Sequence, residues 1–102
     1  MSDPFAEAIA SIFAALGHDA EYEGQEEDAD CRVIVSHDLT QWGDVVQVQN
    51  NMAMISVQKS EIAERPRRGD LFRLATGQEY NVERVMRSDE YEHRILVVSD
   101  GD

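Results

Sequence analysis

Residues 52–98 read MAMISVQKSEIAERPRRGDLFRLATGQEYNVERVMRSDEYEHRILVV, and the fold class rests on how this stretch divides. In Met52 to Gln58, Ala53, Ile55 and Val57 alternate with Met52, Met54, Ser56 and Gln58, the period of two that a strand imposes on its faces. Ser60 is placed to cap one helical turn running to Ala63, with Glu61 in that turn. Pro66 and Gly69 bracket the turn Arg65-Pro66-Arg67-Arg68-Gly69-Asp70, where Gly69 is expected to take a positive φ. Leu71 to Leu74 reads as a strand, Gly77 turns the chain, and Tyr80, Val82 and Val85 open the next. Ser88-Asp89-Glu90 is a polar turn before the nearly continuous apolar run of residues 95–98. Short strands with turn signals at intervals of roughly 8 to 12 residues predict a mainly β fold, a small antiparallel sandwich or barrel. The polar residues of this stretch fall on turns and surface, which suggests a protein that works by shape and contact.

Outward from this body, the N-terminal segment predicts a helix over residues 1–17. Asp3 can cap it, Pro4 suits its first turn, and Phe5, Ile9, Ile12, Phe13 and Leu16 make one apolar stripe before Gly17 stops it. That stripe must dock, either on its own domain or partly on a neighbouring subunit. Residues 18–30 form an acidic segment with a short strand at 20–23 and a solvated run, Glu26-Glu27-Asp28. Cys31-Arg32-Val33-Ile34-Val35 is a short apolar strand opening a β-body over residues 31–99. Within it, residues 37–51 form a long excursion, with Gly43-Asp44 as a turn signal and Val46 and Val48 alternating with Gln47 and Gln49. The whole is one domain: 102 residues suffice for a single modest core.

The formal charge is −12, and nine of the 21 acidic residues lie in the first 30 positions, which hold no Lys or Arg. Such a chain is repelled by phosphate backbones and anionic membranes, so nucleic-acid binding is not its expected activity. No apolar run approaches the roughly 20 residues needed to span a bilayer, and the N-terminus lacks the basic start of a signal peptide. The single cysteine, Cys31, fits a reducing compartment.

No residue pattern calls for chemistry. His18, His37 and His93 stand in no metal-ligand spacing with one another or with Cys31, and the glycines are isolated turn residues rather than a phosphate cradle. Cys31 opens an apolar strand, where a small buried residue is the simpler reading than a nucleophile. No catalytic, cofactor-binding or metal-binding residue is therefore assigned. The candidate residues are contact residues. Arg65, Arg67 and Arg68 are the one concentrated positive charge, suited either to solvating a turn or to an acidic partner surface. Trp42 in the excursion is a candidate interface anchor, beside Met52 and Met54 on one strand face. Phe5, Ile9, Ile12 and Phe13 complete the set.

In its order of features the chain resembles the small head–tail joining (attachment) proteins of lambda-like tailed phages and prophages. The resemblance runs from Val46-Gln47-Val48-Gln49 and Asn50-Asn51 through the strand ending Val57-Gln58 and Lys59-Ser60-Glu61-Ile62. It continues in Arg67-Arg68-Gly69-Asp70, Gly77-Gln78-Glu79-Tyr80, Val82-Glu83-Arg84-Val85 and the closing apolar strand. The first 45 residues match only as a helix-prone extension ahead of a first strand. The resemblance implies a small β-sandwich subunit of the virion, made in the host cytoplasm, that assembles on the head connector as a six-membered ring to which the tail terminator docks. It implies no catalysis and no cofactor. A tail-terminator-like ring protein and an acidic intracellular binding module or inhibitor are the alternative readings.

Overall fold

The computed structural model describes residues 4–25, 28–37, 51–62 and 64–99. Helix α1 (Pro4–Leu16) is followed by strands β1 (His18–Glu23), β2 (Asp28–Ser36), β3 (Met52–Gln58), β4 (Leu71–Leu74), β5 (Glu79–Ser88) and β6 (Glu92–Ser99). The six strands close into an antiparallel barrel in the order β1-β2-β3-β6-β5-β4. Of the two expected architectures, the barrel is the one formed. Closure gives each of these strands two neighbours, so it leaves no open edge.

The period of two explains what fills the barrel. Ala20 and Tyr22 of β1, Cys31 and Val33 of β2, and Ala53, Ile55 and Val57 of β3 point inward. Phe72, Leu74, Tyr80, Val82, Ile95 and Val97 complete one continuous buried cluster, and Ile62 enters it from the β3–β4 connection. Tyr22 faces Phe72 across the β1–β4 pair, with ring centroids 5.1 Å apart and tilted by 39°. The interior is thus a packed core, not a lumen.

Two departures from simple alternation have local causes. Val82 to Val85 is an odd interval, and the β5–β6 register shifts between Val82 and Arg84, which returns Val85 opposite Ile95. On β3, outward-facing Met54 is nonetheless buried. It lies opposite Leu96 and packs with Leu96, Met52 and Met86 in a second apolar cluster.

The acidic segment is more regular than its composition suggests. β1 begins at His18, and β2 begins at Asp28 rather than Cys31, because Asp28, Ala29 and Asp30 pair with Glu23, Tyr22 and Glu21. The positive φ expected at Gly69 is present at 97°, and Gly77 has 98°. Near residue 60 the chain makes a hydrogen-bonded turn whose acceptor is the Gln58 carbonyl, reached by Glu61 N–H at 3.0 Å and Ile62 N–H at 3.1 Å. The expected excursion lies largely outside the described residues, as do Trp42, Asp3 and Ala63.

Candidate contact surfaces

Helix α1 has one charged side chain, Glu7, in thirteen residues. Its apolar stripe is split between two environments. Phe13 is buried within the chain and Ile9 is half-buried, whereas Phe5 is 69% exposed, Ile12 49% and Leu16 63%. The helix docks by one flank of its stripe. Phe13 is therefore inside the molecule and not on a surface that a partner could reach; the same holds for Met54. Phe5 and Ile12 do face outward, and Met52 is half-buried. Beside Ile9, a groove of about 380 Å³ separates Ala6 and Ala10 from Gln58, Ser60 and Tyr91.

What anchors this helix was not legible locally. Its last turn carries no basic residue to meet the free carbonyls. Arg32, reaching from β2, supplies the cap: Nε donates to the Phe13 carbonyl at 3.0 Å and Nη2 to that of Ala14 at 3.2 Å, while Nη1 pairs with Asp19 at 2.8 Å. A cation here also opposes the negative end of the helix dipole. Gly17 is required by this approach, not by a positive φ. A Cβ there would lie 2.4 Å from the Phe13 carbonyl oxygen and 2.9 Å from Arg32 Cγ.

The second surface is the arginine loop before β4. Arg65, Arg67 and Arg68 are all exposed, and Arg68 makes an open ion pair with Glu83 at 3.2 Å. Beneath them, Asp70 is 3% exposed. Its Oδ2 accepts from the Tyr22 hydroxyl and from the Arg67 N–H, the latter at 2.8 Å. Main-chain bonds complete the clamp: Asp70 N–H to the Arg67 carbonyl at 3.0 Å, Val82 N–H to the Asp70 carbonyl at 2.8 Å, and Gly69 N–H to the Val82 carbonyl at 3.1 Å. Asp70 Oδ1 is buried without a partner among the described residues, beside a pocket of about 20 Å³, room for one water-sized group. Read along the chain, Asp70 is only the end of a turn. Its partner Tyr22 lies 48 positions away.

A third surface is acidic. Asp19, Glu21 and Asp30 are exposed around a concavity of about 560 Å³ lined also by Cys31, Arg73 and Ala75. Arg73 is held by three carboxylates, Glu79 at 2.8 Å, Glu23 at 2.9 Å and Glu21 at 3.9 Å. The Glu79 hydrogen bond, then that of Glu23, holds the Arg73 guanidinium above its ordinary pKa. With Arg32 on Asp19, this leaves five carboxylates against two guanidiniums around the concavity.

Groups with chemical potential are enclosed. Burial pushes the Cys31 thiol up to about 12, so it stays protonated at neutral pH. His93 is buried, with Nε2 3.0 Å from the Ile62 carbonyl and Nδ1 2.6 Å from Ser88 Oγ. A carbonyl can only accept, so Nε2 carries the proton and Nδ1 accepts from the Ser88 hydroxyl. Burial also lowers the His93 pKa, which keeps the ring neutral. This is a satisfied core imidazole. Among the described residues, no three His, Cys, Asp or Glu side chains come together as a metal-binding group. No described helix is long and apolar enough to cross a membrane. No family model matches the chain, and no curated protein does either.

Proposed function

We propose that this chain is a virion structural protein that joins the DNA-filled head of a tailed phage to its tail, as a subunit of a ring on the head connector. The observation that carries this reading is the nearly uncharged helix α1 displaying Phe5, Ile12 and Leu16 on the outside of a barrel whose interior is already full. A filled barrel offers its surface, and an exposed apolar face on a chain of net charge −12 is suited to burial against another protein. The ordered features behind the resemblance support it too. Residues 59–62 and 67–70 fall at connections between strands of one barrel, residues 77–80 at the turn into β5, and residues 82–85 at the bulge of that strand. The acidity suits a subunit that sits beside a DNA passage without holding the DNA.

A purely acidic binding module is less well supported. Asp19, Glu21 and Glu23 do lie on one face of β1, but Arg32 and Arg73 are interleaved with them, where a phosphate mimic would present carboxylates alone. Inactivating the gene in an inducible prophage tests the joining role. DNA-filled heads and separate tails should accumulate; normal infectious particles would refute it, and tails of uncontrolled length would move it to the tail-terminator role.

A further inference from the structure

A loop that only solvates a turn does not need a buried carboxylate under it. Here Asp70, at 3% exposure, fixes the arginine loop through the Tyr22 hydroxyl and the Arg67 N–H, and Gly69 and Val82 stitch the same loop to β5. The loop is thereby pre-organised, which removes much of the ordering entropy that a flexible loop would lose on binding. Its exposed Arg65 and Arg68 call for an acidic receptor. The same chain displays one: the concavity rimmed by Asp19, Glu21 and Asp30, which Arg32 and Arg73 leave with an excess of negative charge.

We infer that the arginine loop of one copy docks in the acidic concavity of a second copy. The contact joins two different surfaces, so it is heterologous and can propagate into a ring. Ala75, a small exposed side chain, lines the concavity and lets a neighbouring loop approach closely. Loop-to-concavity contact brings opposite charges together, whereas loop-to-loop and concavity-to-concavity contacts bring like charges together. Docking of this kind deepens the joining reading, on which it rests for the expectation that copies meet at all.

The test is sedimentation of the full chain from micromolar to millimolar concentration. At about 0.1 M salt the Debye length is near 10 Å, which screens the general repulsion while sparing contact pairs. Wild type should self-associate. The double variants Arg65→Glu with Arg68→Glu, and Glu21→Lys with Asp30→Lys, should each associate at least about tenfold more weakly. Mixing the two should restore association, because the reversed loop then meets a reversed concavity. All four positions are exposed, so circular dichroism and melting should show each variant folded. A wild type monomeric throughout, variants that associate as tightly as wild type, or a mixture without restored association would each overturn the docking. The prophage knockout reads the joining role separately, so the two failures can be told apart.

Discussion

Ile55 and Ile12 are the same side chain in two settings. Ile55 is fully enclosed between β2 and β6, opposite Val35 and Ile95, whereas Ile12 is 49% exposed on a helix with one charge. Inside the barrel every apolar side chain is used to hold the chain together. On α1 the stripe is only partly used, by Phe13 and Ile9, and the rest is displayed. Two regions built from equally apolar residues therefore do different work, stability in one and contact in the other.

Substitution separates them most sharply in the core. Ile55→Ala should cost about 2–5 kcal/mol, because the enclosed site cannot collapse around the lost atoms. That is a large share of the roughly 5–15 kcal/mol typical of a small domain, and the urea midpoint would show it. Ile12→Ser should move the same midpoint by no more than about 0.5 kcal/mol. Equal losses at the two positions would dissolve the distinction.

The next largest effect lies at Asp70, where core and surface meet. Asp70→Ala removes the acceptor for Tyr22 and Arg67 and should cost about 1–3 kcal/mol. It should also speed hydrogen exchange at Gly69 more than at the β3–β6 amides, since only the loop clamp is lost. Uniform acceleration would mean that Asp70 serves the whole barrel and not the loop.

The smallest effect is a pH dependence from His93. Burial lowers its folded pKa below the ordinary 6.5, so the unfolded chain takes up the proton more readily. Its contribution is present above about pH 6.5 and is lost as pH falls below that toward the folded pKa. Asp89, whose pKa is lowered first by the Tyr91 N–H, acts in the same direction but only in the more acidic carboxylate range. Denaturation midpoints of wild type and His93→Gln should thus diverge at neutral pH and converge on mild acidification. A constant difference between pH 7.5 and pH 5 would contradict the buried neutral imidazole.

The interior was legible from the sequence because a strand encodes burial in every second residue. Ala53, Ile55 and Val57 announce their face without reference to any other segment, whereas the bulge between Val82 and Val85 emerges only from the pairing with β6. Contacts made by residues far apart in the chain were not legible. Arg32 caps a helix that ends sixteen residues before it, and Tyr22 meets Asp70 through folding alone. Met54 and Phe13 looked like contact residues because periodicity gives the face of a side chain, not what lies over that face. The displayed part of α1 was half legible: the stripe could be read, but how much of it the barrel covers is decided by the angle at which Arg32 and Gly17 hold the helix.

The most direct measurement of this division of labour is complementation of the prophage knockout with Phe5→Ser, Ile12→Ser and Leu16→Ser combined. The protein should remain folded with a near-wild-type urea midpoint, yet leave DNA-filled heads and free tails unjoined. A folded triple variant that restores a normal yield of infectious particles would contradict the account.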